Sequence, residues 1–193
     1  MKLNEALYVV KQELNDDRFE HTKRVIETAE HLASCHSVSV DKATLAAALH
    51  DYAKCWPTEK LRKYILISPL PKDLLLYNHE LWHGPVASIL LPNRIGIKDR
   101  SILNAIRYHT TGRAHMSSLE MVIFVSDYIE PGRHFPGVDQ VREVAEDHLV
   151  KAAWLAVKQT INYLLERQGM IYPDTIHAYN TLTRQIFHET DEI

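Results

Sequence analysis

Apolar positions recur along this chain at spacings of three and four, the period of a helix with one buried face. Val25, Ala29 and Leu32 make such a stripe within 18–36, with Cys35 counted as its continuation. Ala43, Ala46, Ala47 and Ala53 make a small-residue face within 41–55. The same pattern predicts helices at 3–14, 59–67, 85–91, 100–108, 118–130, 139–168 and 174–188. Their ends carry helix punctuation. Asn15, Asp16 and Asp17 separate the first two helices, Asp41 is the expected N-cap of the third, and Pro57 stops it. Thr58 and Asp99 open the next helices, Ser117 and Glu120 form a capping box, and Gly169 ends the long one. Nothing alternates with the period of a strand, and there is no Asn-Gly or Asp-Gly hairpin turn. The expected fold is all-α, a single-domain helical bundle of roughly nine or ten helices over residues 1–193, with no repeat or linker.

Composition narrows the class. With 46% hydrophobic and 24% charged residues this is an ordinary globular profile. The net charge of −3 argues against nucleic acid or an anionic membrane as the main partner, since both favour a basic face. No stretch approaches the about 20 apolar residues of a membrane span, and the N-terminus lacks a signal-peptide pattern, so the expected location is cytoplasmic. Two cysteines, Cys35 and Cys55, are too few for a disulfide framework and are expected as small buried hydrophobes. The twelve histidines matter only through their positions.

His50-Asp51 follows the alanine face, where a neighbouring helix approaches closely. Burying that pair is costly unless a cation or a full set of hydrogen bonds compensates. The bland alternative is a satisfied core histidine beside a helix-end carboxylate. His21 lies four residues before Val25, on the apolar stripe of its helix, where core packing is the alternative. Asp127, in LEMVIFVSDYIEP, sits in the most hydrophobic helix of the chain and needs a counter-charge. An arginine such as Arg24 or Arg133 would serve as well as a metal.

Taken together, the order His21, His50-Asp51, Asp127 on three helices resembles the metal-binding signature of the HD-domain superfamily. The segments RFEHTKRV, LAAALHDYAK, HGPVA, AIRYHTTGR, VSDYIEPGR and YPDTIHAYN extend the resemblance over most of the chain. As a set they resemble the bacterial HD-domain bis(5′-nucleosyl)-tetraphosphatases of the symmetrical-cleavage type. The resemblance implies hydrolysis of diadenosine tetraphosphate to two ADP. It also implies one divalent metal held by His21, His50, Asp51 and Asp127, with iron as the native ion. Imidazole and carboxylate ligands equally suit Mn, Co, Ni or Zn.

Such a metal supplies an activated water. Asp51 and Asp127 would orient that water or accept its proton, and His83 and His109 would act on the phosphates or hold a second metal. A tetraphosphate also needs cations and donors. His21, Lys54, His83, His109, Thr110, Gly112, Arg113, His115 and Arg133 are the expected substrate contacts, while Tyr128 would stack on a base or simply pack. His31, His36, His148, His177 and His188 read as surface or helix-flank residues, and the three tryptophans as core or cleft wall. The long helix 139–168 offers a face for a homodimer. Two alternatives remain: another HD-type nucleotide pyrophosphatase or phosphodiesterase, and a non-catalytic nucleotide-sensing domain with the metal as a staple.

Overall fold

The computed structural model describes residues 1–187. The end of the last expected helix and His188 lie outside the described residues. Among those described, ten α-helices and two short 3₁₀ segments are present, and there is no strand. The helices are α1 (Leu3–Lys11), α2 (Asp16–Cys35), α3 (Val40–Leu49), α4 (Thr58–Ile67), α5 (His83–Ile95), α6 (Arg100–Tyr108), α7 (Ser118–Ile129), α8 (Val138–Asp147), α9 (Leu149–Glu166) and α10 (Pro173–Phe187). The 3₁₀ segments, Lys72–Leu76 and His79–Leu81, bridge α4 and α5.

Two helices form the middle of the bundle. α7 packs against α2, α3, α6, α8 and α9, and every residue from Leu119 to Ser126 is buried. This explains its all-round hydrophobicity, the mark of a helix with no solvent face. The capping box at its start is present: Ser117 Oγ accepts from the Glu120 amide, and Glu120 accepts from the Ser117 amide. α3 packs against α1, α2, α6 and α7, and the side chains of Ala43, Ala46, Ala47 and Ala48 are fully buried. Alanine there lets backbones approach, so polar groups at the end of α3 are carried into the interior.

Three expectations are corrected. First, α3 begins after Ser39, whose hydroxyl caps the Lys42 amide, so Asp41 is inside the helix and not its N-cap. α3 also stops at Leu49 and not near 55, because the chain tightens into three-residue turns: the Tyr52 amide donates to Leu49 and the Lys54 amide to Asp51. Second, the long helix expected over 139–168 is two. His148 has φ −135° and ψ 77°, outside the helical region, and the two pieces pack against one another as one straight rod cannot. The apolar phase runs unbroken through Ala145, Leu149, Ala152 and Ala156, so periodicity carries no sign of the break. Third, both cysteines are exposed. At 100° per residue Cys35 lies about 60° beyond Leu32, off the edge of the buried stripe, and Cys55 falls on the turns after α3.

Candidate metal centre and nucleotide cleft

Five elements deliver side chains to one buried point. α2 contributes His21, the end of α3 contributes His50 and Asp51, the start of α5 contributes His83, and the end of α6 contributes His109. Asp127 comes from the last turn of α7. His21, His50, Asp51, His83 and His109 are buried, His50 and Asp51 completely.

Each of three imidazoles is oriented by its own Nδ1. His50 Nδ1 donates to the Ala47 carbonyl at 2.6 Å, and His109 Nδ1 donates to the Ile106 carbonyl at 2.7 Å. α3 and α6 thus end in the same way, with a histidine folded back on the carbonyl three residues earlier. His21 Nδ1 donates to Glu130 Oε1 at 3.1 Å. In all three the second nitrogen, Nε2, faces the centre, where in the neutral ring it offers a lone pair to a cation. A histidine that donates its other N–H to an oxygen is the arrangement that fixes tautomer and ring angle in metal sites.

Asp51 stands between two groups of these nitrogens. Its Oδ2 is 3.2 Å from His50 Nε2 and 3.6 Å from His21 Nε2, while its Oδ1 is 3.0 Å from His83 Nε2 and 3.8 Å from His109 Nε2. Asp127 Oδ1 is 3.1 Å from His21 Nε2. One ligand atom each from His21, His50 and Asp127 lie within 4.8 Å of one another, and so do those of His50, Asp51 and His109.

The centre fits a cation by its unsatisfied atoms. His21 Nε2, His50 Nε2 and both Asp51 oxygens are buried without a hydrogen-bond partner. Such orphaned groups are rare in native interiors, and several converging on one point are costly without a counter-charge. The C-termini of α3 and α6 also end here, and their dipoles favour positive charge. Burial works against ionising Asp51, yet His50 and His83 beside it outweigh that and hold its carboxyl well below the usual range. Asp127 is likewise held well below, burial being outweighed by His21 and Arg133. Burial, reinforced by His83 and His50, pushes His109 well down, so it stays neutral and free to ligate.

Arginines surround this centre. Arg133 donates to Asp127 Oδ1 at 2.7 Å, so the counter-charge expected for Asp127 is present alongside the imidazoles. Arg24 is engaged elsewhere, donating to Glu130 Oε2 at 2.6 Å. Arg18 Nε lies 2.5 Å from Asp51 Oδ2, a charge contact without hydrogen-bond alignment. Sequence reading assigned no role to Arg18 or Glu130. Both had a signal: Arg18 is one turn before His21, and Glu130 one turn after Asp127, on the faces that carry those residues.

Two hollows open beside the centre and share Lys54 and Arg133. One, of about 510 Å³, is lined by Arg18, His21, Arg24 and Glu130 among others. The other, of about 860 Å³, includes His109, Thr110, Asp127 and the aromatic rings of Phe124, Tyr128, Phe135 and Tyr163. Lys54 is held by Glu80 at 2.5 Å. Gly112, Arg113 and His115 line neither hollow. Arg113 makes a two-pronged ion pair with buried Glu120, and a Cβ on Gly112, which has φ +63°, would meet Ala178 and Met116. Tyr128 stacks edge-on to Phe135 and donates to Gln159.

The chain belongs to the HD-domain family, whose model matches residues 18–170. It is similar to the symmetrical bis(5′-nucleosyl)-tetraphosphatase of Bacillus subtilis (strain 168), with 46% identity over 94% of this chain and 98% of that protein. The protein of the same name from Staphylococcus aureus (strain NCTC 8325 / PS 47) is 38% identical over 93% and 94%. Among solved structures, a predicted HD superfamily hydrolase from Clostridium acetobutylicum, described as involved in NAD metabolism, superposes with a TM-score of 0.90. It is 36% identical, covering 96% of this chain and 98% of that one.

Proposed function

We propose that this chain is a metal-dependent hydrolase that cleaves diadenosine tetraphosphate symmetrically to two ADP, acting as one domain over residues 1–193. The observation that carries the reading is the convergence of His21, His50, Asp51 and Asp127, with their inward-facing atoms unpartnered, in a chain so similar to tetraphosphatases. These four residues would hold the metal. Iron is our reading for the native ion, from the family resemblance; the donor set also suits Mn, Co, Ni and Zn. Asp51 has a second face toward His83 and His109, and that pair would take a second ion in place of their mutual hydrogen bond, with the His83 proton moved to its unpartnered Nδ1. Bound metal supplies a water of lowered pKa at neutral pH and neutralises phosphate charge.

The protein's own groups do the rest. Lys54 and Arg133, lying between the two hollows, would receive the phosphate chain, Lys54 exchanging Glu80 for phosphate oxygen. One nucleoside would enter the aromatic hollow and the other the arginine-lined one. Asp51 and Asp127, held ionised, would orient the attacking water and take its proton. His109 Nε2 is an acceptor, so the proton shared at 3.0 Å between it and His83 sits on His83 Nε2. Burial holds the His83 imidazole below its usual range, so the ring is neutral near pH 7 and this N–H would act on the phosphates as a hydrogen-bond donor. Thr110, on the rim of the hollow, would donate to phosphate, whereas Gly112, Arg113 and His115 would support that rim from behind.

We place the protein in the cytoplasm, and no helix among the described residues is long and apolar enough to cross a membrane. A homodimer through α9 is our oligomeric reading, resting on its exposed Leu165, and sizing chromatography checks it. The function is tested by product chromatography on diadenosine tetraphosphate with wild type and Asp51→Asn. ADP as sole product, lost by on the order of a thousandfold in the variant, is the expected result. ATP plus AMP would overturn the symmetrical reading.

A further inference from the structure

The exposed Cys35 does not stand alone. His31 precedes it by four residues and so lies on the same face of α2, and Glu146 reaches them from α8. One ligand atom from each lies within 4.8 Å of the others. His31 Nε2 is 3.7 Å from Cys35 Sγ and 2.7 Å from Glu146 Oε2. None of the three belongs to the centre described above: His31 is ten residues beyond His21 along α2, about 15 Å away at 1.5 Å per residue.

We propose that His31, Cys35 and Glu146 form a second, surface metal site for a borderline divalent ion of the zinc or cobalt type, clipping the end of α2 to the end of α8. The donor set decides the class of ion. Thiolate with imidazole selects zinc-like metals, whereas magnesium and calcium demand oxygen ligands. The spacing fits as well. Bonds of about 2.3 Å to sulfur and about 2.1 Å to nitrogen at a tetrahedral angle separate those two donors by about 3.6 Å, against the 3.7 Å observed. The nitrogen-to-carboxylate distance is shorter than a shared ion allows, being a hydrogen bond. Opening it to about 3.4 Å needs only a small rotation, and both side chains are more than half exposed and free to make it.

The platform beneath is already positioned. His36, next to Cys35, bonds the Ala145 carbonyl at 2.6 Å, holding the last turn of α8 against the end of α2 beside Glu146. With three protein ligands the fourth position is open to water, as in zinc sites with exchangeable ligands.

The test uses Co²⁺ as the probe, added to full-length protein already loaded at its main centre. Thiolate-to-cobalt charge transfer gives an absorption band that ligands of nitrogen and oxygen alone cannot produce, so the main centre is silent. The expected result is one equivalent of this band in the wild type. It should vanish in Cys35→Ser, persist in Cys55→Ser, and require about tenfold more Co²⁺ in Glu146→Ala and His31→Ala. Zn²⁺ should bleach the band and raise the melting temperature of the wild type but not of Cys35→Ser. All three side chains are exposed, so the variants fold, and Cys35→Ser keeps its hydrolytic activity. No band up to millimolar Co²⁺, or a band that survives Cys35→Ser, overturns the proposal.

Discussion

At the scale of single residues, the hydrogen bond behind a ligand matters as much as the ligand. Glu130 is buried, and burial opposes its charge. Arg24, the Gly132 amide and His21 outweigh this and hold its carboxyl below the usual range. It therefore stays an acceptor for His21 Nδ1 at neutral pH and keeps Nε2 of that ring pointed inward. Glu130→Gln should weaken metal binding by about 10–100-fold, the usual cost of removing such a partner. Metal titration of the apoprotein reads this directly, and activity should return at high metal concentration. The four residues we propose as metal ligands were candidates in the sequence because a histidine on an apolar stripe and an aspartate inside an apolar helix are costly without a reason, and the family resemblance joined them into one set. Glu130 was not singled out: its place one turn after Asp127 was the signal, but a carboxylate just past a helix end is outweighed as ordinary surface until the ring it meets is known.

At the scale of elements, close approach of α5 and α6 sets the position of His109. A Cβ on Gly84 would lie 2.8 Å from the Ile106 carbonyl oxygen and 3.1 Å from the His109 ring. Gly84→Ala must separate the two helices, at a cost of about 1–3 kcal/mol. It should also lower turnover, since Ile106 is the carbonyl that orients His109; denaturant titration and kinetics on the same sample show both effects. The start of α6 offers a second case. Asp99 Oδ1 accepts from the Ser101 and Ile102 amides, and its Oδ2 pairs with Lys42 at 2.8 Å. Lys42 first, then Ser101, lower its pKa. A depressed folded-state pKa contributes stability that is complete above the unfolded value of about 3.9 and is lost as pH falls through the folded one. Asp99→Ala should thus cost about 1 kcal/mol at neutral pH, and the difference should shrink as denaturant midpoints are measured progressively below pH 4.

At the scale of the whole molecule, the centre ties α2, α3, α5, α6 and α7 together at a point where the bundle has no apolar contact to offer. Removing metal leaves buried, unpaired polar atoms there, so the metal is expected to be part of the fold's stability. A ligand present at a hundred times its dissociation constant stabilises by about 2.7 kcal/mol. For a chain of this size, chelation should lower the melting temperature by roughly 5–10 °C. Scanning calorimetry with and without chelator checks it, and equal melting temperatures would count against a metal held at this centre.

What the sequence determined by itself was periodic or chemically costly. The helices, the capping box at Ser117 and Glu120 and the buried α7 follow from local spacing; His21, His50, Asp51 and Asp127 are marked as candidates by the penalty of burying polar groups and joined by the family resemblance. Tertiary structure alone decided the break at His148, where an uninterrupted apolar phase hides two helices folded on each other. It alone also exposed Cys35 and brought Glu146 to it, turned Arg113 onto Glu120, and set Arg18 against Asp51. These are contacts between residues far apart in the chain or meeting across a turn, and one-dimensional spacing carries no distance between helices that have yet to pack.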